Sequence, residues 1–295
     1  MSKKNVIMDS QIASTLMSCE RLTDFKFNHN LQPISGKGNS LEAGWLLHQF
    51  LEGYYRSIAA GNKIEALDKA MQLGTQSIKE GMDGNGLENT PVENEKHPNG
   101  QLSRVGSAHV IDTFLQYVEF YRNDPWVPLE VEKVMSKVIY EDDDMRLLWK
   151  AKLDLIVDTN QGIFPVDHKS MKQNRETLSL NNQFMGQCVL NGTRMVIINK
   201  IGFQSSLKPV DKFKRVPINY SLPRLLEWMD ITVYQAKRLI MLNETGYWPP
   251  NFTHCDKFNG CIFRGVCESD PSMRQEEIML RFKVGEPWDI SDGED

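Results

Sequence analysis

Apolar and polar positions follow two rhythms along this chain. From Ser40 to about Ala60, SLEAGWLLHQFLEGYYRSIAA repeats apolar or aromatic residues at helical intervals, including Leu47, Phe50, Leu51, Tyr54 and Tyr55, and predicts an amphipathic helix. KIEALDKAMQLGTQSIKE, after Gly61 and Asn62, predicts a second helix ending near Gly81, and helical character resumes from Ser107 to Arg122. Between them, GMDGNGLENTPVENEKHPNGQ is rich in Gly, Asn, Glu and Pro, with little to bury, and reads as a surface loop or a connection between lobes.

The period then shortens. VPLEVEKVMSKVIYEDDD reads as a strand entering an acidic turn, and RLLWKAKLDLIVDTNQGIFPVDHK as two apolar runs about a turn at Thr159 to Gly162, hence neighbouring antiparallel strands. Pro165 has no amide hydrogen for a ladder, which argues against a fully bonded interior place for the second of them. TLSLNNQFMGQCVLNG predicts a helix, RMVIINKIGF a strand and LPRLLEWMDITVYQAKRLIMLNETG a long helix. This order predicts an α/β fold in which a small mixed sheet is flanked by helices. The expected organisation is one domain over 1–295, with a helical N-terminal part (1–125), a core (126–246) and a cysteine-bearing metal-binding segment (247–270).

A hydrophobic content of 40% over 295 residues supplies a sizeable core. No run approaches the length of a membrane span and MSKKNVIMDSQIAS has no apolar signal core, so a cytoplasmic setting without structural disulfides and without membrane partners is expected. The net charge of -5 excludes a uniformly basic, nucleic-acid-coating surface and leaves room for a local basic groove. Lys169, Lys172 and Arg175 are candidates for such a groove; Lys208, Lys212, Lys214 and Arg215 read as solvated surface.

Candidate chemistry centres on the hairpin. Asp167 and Lys169 are two apart on a strand and so share a face, while Asp154 lies on the strand before. Aspartates converging at one end of a sheet repel unless a cation neutralises them, and magnesium favours such hard oxygen ligands. A lysine beside the ion can orient a water nucleophile or stabilise charge on a phosphate. A bare D-x-K is common on surface hairpins, so its company decides. His48 sits on the first predicted helix with Glu52 one turn later, and Gln183 and Gln187 share a helix face after the hairpin, within reach of a nucleic-acid backbone if that helix lies over the sheet.

The ordered set GWLLHQF, KLDLIVD, PVDHK and NNQFMGQ resembles the RecB-like branch of the PD-(D/E)XK nuclease superfamily, with its AddB nuclease domains and CRISPR-associated 4Fe-4S exonucleases. The resemblance implies magnesium or manganese bound by His48, Asp154, Asp167 and the backbone carbonyl of His168. It also implies Asp154, Asp167 and Lys169 as catalytic residues, and Gln183 as the helix glutamine. Gln183, Gln187, Lys172 and Arg175 are the expected DNA contacts. Two positions depart from the family pattern: Gln187 replaces a tyrosine, and Ala151 stands where a glycine is frequent.

Three of the five cysteines form CDKFNGCIFRGVC, and Cys19 lies near the other end of the chain. Four thiolates can hold zinc or a 4Fe-4S cluster, and spacing alone leaves both open. The resemblance implies a 4Fe-4S cluster on Cys19, Cys255, Cys261 and Cys267, although the first C-terminal interval is five residues where the family pattern has two. Cys188, with Val189 and Leu190 beside it, reads as a buried free thiol.

The expected function is therefore a metal-dependent DNA exonuclease in recombination, repair or replication-associated end processing, with DNA and proteins of those processes as partners. The alternative is a catalytically silent DNA-binding or protein-recruitment module on the same fold. No phosphate-binding GxxxxGK[ST] motif is present to power a helicase.

Overall fold

In the computed structural model, which describes residues 3–34, 39–82, 106–171, 179–257 and 260–289, the chain opens with a strand, β1 (Lys4–Met8). Asp9 ends it. Its carboxylate accepts from the amides of Gln11 and Ile12 and caps α1 (Ser10–Ser18), which passes at Cys19 into the single turn α2 (Glu20–Thr23). After β2 (Leu31–Pro33) come the three helices that the apolar spacing predicts, α3 (Asn39–Ala59), α4 (Ala66–Met82) and α5 (Ser107–Phe120). The loop expected around 82–106 lies outside the described residues save its ends.

The strands β3 (Val127–Glu141), β4 (Met145–Thr159) and β5 (Gly162–Met171) lead to α6 (Asn182–Asn191) and β6 (Met195–Gly202). The short α7 (Pro209–Lys212), β7 (Phe213–Asn219) and the long α8 (Leu222–Thr245) complete the core. Two small helices, α9 (Arg264–Glu268) and α10 (Arg274–Arg281), precede β8 (Phe282–Val284), which pairs with β2. Two expectations need correction. The N-terminal part is not wholly helical, because β1 joins the main sheet, and the basic run at 208–215 is not simply solvated. Lys212 is buried, and Arg215 is bound by both oxygens of Asp124 while its guanidinium lies 3.8 and 3.3 Å from the ring centres of Tyr121 and Trp126. Phe213 and Ile218 carry that run into the sheet, so its charges find partners inside the fold.

Among the described residues six strands form one mixed sheet, ordered β1–β4–β5–β6–β7 with β3 also on β4. Because β3 follows nearly the whole of β4 along one edge, β1 and β5 share the other edge. There β1 runs parallel over Met145–Trp149, and β5 antiparallel over Leu155–Thr159. These ladders leave a notch in the edge between Trp149 and Leu155. At Val166, β5 parts from β4 and continues in parallel with β6. Pro165 pairs with Ile156 one residue before β6 joins, where β5 has a partner on one side only and can spare an amide hydrogen.

Two cores cover the two faces. Trp149, Leu153, Ile198 and Trp228 belong to the one under α6 and α8; Phe50, Phe114, Leu155, Val157 and Val166 belong to the one under α3 and α5. Strict alternation would keep Leu153 and Leu155 together, yet they lie in different cores. Opposite the change, between Val131↔Leu155 and Lys133↔Leu153, β3 carries Glu132 at φ 51°, left-handed backbone that is uncommon outside glycine. Such residues cost on the order of 1–3 kcal/mol each and cluster at functional sites. This irregularity sits beside the notch and rotates β4 at Asp154. Across the sheet, Gly186 lets α6 lie against Trp149, since a Cβ there would come within 2.2 Å of the indole Nε1.

Candidate active site

Where β5 leaves β4, the amide of His168 loses its strand partner and donates to Asp154 Oδ2 at 2.7 Å. His48, brought over the notch by α3, places Nδ1 3.8 Å from the same oxygen and Nε2 3.1 Å from the carbonyl oxygen of His168. Glu132 completes the group: one ligand atom from each of His48, Glu132 and Asp154 lies within 4.8 Å of the others. Lys152 faces Glu132 at 3.0 Å.

Asp167 projects to the opposite side of β5 from the His168 ring and is fully buried. Its Oδ1 accepts from Gln183 Nε2 at 2.7 Å and Gln187 Nε2 at 3.1 Å, and its Oδ2 lies 2.8 Å from Lys169 Nζ. Lys169 also donates to Gln183 Oε1 at 3.0 Å, so Gln183 bridges acid and amine. The expected four-ligand set is therefore placed in two parts. His48, Asp154 and the His168 carbonyl meet at the notch with Glu132, while Asp167 is held beside them by Lys169 and the α6 glutamines.

Gln187 does not face nucleic acid. It is fully buried, because i,i+4 spacing puts it on the same inward face of α6 as Gln183, and its amide serves Asp167. Lys172 and Arg175 lie outside the described residues. The imidazole of His168 points away from the notch: it stacks on Tyr55 at 5.6 Å, and its Nδ1 is 2.8 Å from Asn199 Nδ2. Asn199 also donates to Tyr117, whose hydroxyl meets that of Tyr55 at 2.6 Å. Burial, and then the neighbouring His48, hold this imidazole well below its ordinary pKa and so neutral.

Crowded acids shape the electrostatics. Burial and then the charge of Asp167 raise Asp154 to about 7, against the opposing pull of Lys169 and the His168 amide. Glu132 is likewise pushed up to about 7 by burial and Asp154. Burial alone would depress Lys169, but Asp167 and Asp154 outweigh it and keep the ammonium charged. His48 is lowered by burial, leaving a neutral ring suited to ligation.

The residues fit a divalent metal. Carboxylates, a carbonyl and one neutral imidazole form a donor set that is mostly hard oxygen. Sequence reasoning missed Glu132. Its signal was there: two residues from Glu130 in VPLEVEKV, it stands opposite Asp154 once β3 and β4 are aligned.

A further cluster joins the two ends of the described chain. Cys19 sits between α1 and α2, where the amide of Asn251 donates to its Sγ at 3.2 Å and Asn251 Nδ2 binds the Ser18 carbonyl at 2.8 Å. The amide of Cys261 returns to the carbonyl of Cys255 at 2.8 Å, and Cys261 and Cys267 pack against Phe25, Leu31, Phe263, Val266 and Phe282. Burial raises the Cys255 and Cys261 thiols; Cys267 and Cys19 add to the rise at Cys255, and Cys267, Cys255 and Cys19 add to it at Cys261. Among the described residues no three of these sulfurs lie within 4.8 Å of one another. Cys188 is fully buried, as expected of a free thiol.

A search of curated proteins finds no match. Among solved structures the fold is similar to SSO0001, at 16% identity and a TM-score of 0.33 over 55% of this chain and 70% of that one. It is also similar to a Eubacterium rectale protein that carries a provisional exonuclease name, at 13% identity and a TM-score of 0.47 over 97% and 93%. Among the described residues no helix is long and apolar enough to cross a membrane. Residues 12–190, which run from α1 through the notch, Asp167, Lys169 and the end of α6, match the PD-(D/E)XK nuclease superfamily model, and the chain belongs to that superfamily.

Proposed function

We propose that this chain is a magnesium- or manganese-dependent deoxyribonuclease of the RecB-like branch, acting as an exonuclease in recombination, repair or replication-associated end processing. The observation that carries the reading is Lys169, held between Asp167 at 2.8 Å and Gln183 at 3.0 Å next to the His48, Glu132 and Asp154 group. A divalent ion held by His48, Asp154, Asp167 and the His168 carbonyl, with Glu132 alongside, would lower the pKa of water and neutralise charge on a phosphodiester. Lys169 contributes a fixed positive charge where negative charge develops on the phosphoryl oxygens. Asp167 and Gln183 keep that amine in place, and the Asp154 carboxylate, freed of its proton by a cation, fixes the backbone of His168. The helix α3 closes one side of the notch, which favours DNA presented as an end.

Cleavage of linear DNA in magnesium or manganese tests the reading, with Lys169→Ala and Asp167→Asn as controls. Either variant should lower kcat by about 10²–10³. Undiminished cutting by both would remove the proposed site, and equally rapid cutting of covalently closed circles would remove the exonuclease part. We assign to Cys19, Cys255, Cys261 and Cys267 a structural 4Fe-4S cluster in preference to zinc, as the RecB-like resemblance implies and as the apolar shell about Cys261 and Cys267 supports. These free thiols suit a cytoplasmic setting. The domain division keeps 1–295 as one nuclease unit, with the cysteine segment fastening its ends.

A further inference from the structure

The helix α3 grips His168 at both ends. His48 Nε2 lies 3.1 Å from its carbonyl oxygen, and Tyr55, two helical turns later on the same face, stacks on its ring at 5.6 Å. One turn before His48, Gly44 lets the helix lie close to β5, since a Cβ there would come within 2.9 Å of Ser170 Oγ. The place of α3 along its own axis therefore decides where His48 stands over the notch. Asn199, the register partner of His168 on β6, is fully buried and uses both hydrogens of its amide: one goes to His168 Nδ1 at 2.8 Å, the other to the Tyr117 hydroxyl at 2.8 Å. That hydroxyl meets the one on Tyr55 at 2.6 Å. Strand β6 and helices α5 and α3 are thus tied to one imidazole by buried groups, for which an unmade hydrogen bond has no solvent to replace it. A slide of α3 that moved His48 would also part the two tyrosine hydroxyls.

We propose that Asn199 is a positioning residue for the divalent-ion site: through the His168 ring it fixes the His168 carbonyl, and through Tyr117 and Tyr55 it fixes the helix that carries His48. The inference rests on the metal-dependent reading and adds to it a residue buried in the sheet, behind the ligands. Partners of this outer kind orient the ligands themselves, and their loss typically weakens metal binding by about 10- to 100-fold.

Manganese binding to the metal-free protein without DNA, read from the free-ion EPR signal, tests it. Asn199→Leu, close in volume and unable to hydrogen-bond, should bind manganese about 10- to 100-fold more weakly. Tyr117→Phe keeps the ring and drops the hydroxyl, and should weaken binding about fivefold. In both variants kcat should return toward wild type as manganese is raised, at an unchanged KM for DNA. A merely structural defect would instead lower the active fraction equally at every manganese concentration. Unchanged manganese affinity in Asn199→Leu shown by circular dichroism to be folded, or in Tyr117→Phe if the first variant does not fold, overturns the role and leaves the nuclease standing. Wild type that binds no manganese removes the metal site and the positioning role with it. Affinities that fall in the expected order in a protein that cuts no DNA would support the positioning role and remove the catalytic reading instead.

Discussion

The main-chain nitrogen of His168 binds the side chain of Asp154, at 2.7 Å, where a strand carbonyl would ordinarily receive it. One carboxylate thereby closes a broken ladder and faces the proposed metal. Its two tasks are separable. Asp154→Asn keeps an acceptor oxygen and should stay folded while losing cleavage; Asp154→Ala should also lose about 1–3 kcal/mol of stability, because the His168 amide is left unpaired. Urea unfolding of the two variants beside cleavage assays distinguishes them, and equal stability would refute the ladder-closing role.

Gln187 should behave as a positioning residue. Gln187→Leu removes one of the two amides on Asp167 Oδ1, and kcat should fall by about 10- to 100-fold while KM for DNA stays within about twofold. A rise in KM with unchanged kcat would return Gln187 to the DNA surface.

The approach of α6 to the sheet makes a separate prediction at Gly186. The methyl group of Gly186→Ala would meet the Trp149 ring, so the variant should be about 1–3 kcal/mol less stable and lose activity through displaced glutamines. Thermal melts with wild-type values would show that the helix has room to spare.

Glu132 ties stability to pH. Its pKa in the metal-free fold is raised from 4.5 to about 7, so between those values the folded protein holds a proton that the unfolded chain has released. Stability from this group is present at low pH and declines as pH rises through that window. Relative to wild type, Glu132→Gln should gain on the order of 1–2 kcal/mol between about pH 5 and about pH 8 in EDTA. Magnesium should stabilise wild type more at the higher pH. A pH-independent difference in Tm between the two proteins would rule this out.

Removal of the cysteine-bound group should loosen both ends together. Anaerobically purified protein is expected to contain about four irons and four sulfides per chain, and Cys19→Ser or Cys261→Ser should lose them along with several degrees of Tm. Zinc in their place, or metal content indifferent to Cys19, would replace the assignment.

Most of the helices and the central hairpin were legible because their apolar periods are long and unbroken, as in α3, β4 and α8. His48, Asp154, Asp167, Lys169 and Gln183 were legible because their order along the chain is itself a pattern. Glu132 and Gln187 were not. The place of Glu132 depends on a strand alignment with an irregular backbone, where Leu153 and Leu155 part company. Gln187 has the spacing of a surface amide until α6 is seated by Gly186. Arg215 was misread for a related reason, since its partner Asp124 and its flanking rings come from a distant part of the chain.

The strand β1 lies on β4 over Met145–Trp149, and Trp149 in turn meets Trp228 of α8 edge-on at 4.8 Å. A fragment trimmed to the motif-bearing stretch would contain every proposed ligand of the divalent ion yet strip both neighbours from that tryptophan, exposing one of the largest buried side chains and the sheet edge next to it. Such a fragment should aggregate on expression. The smallest piece that carries the chemistry is shorter than the smallest piece that can stay in solution to perform it.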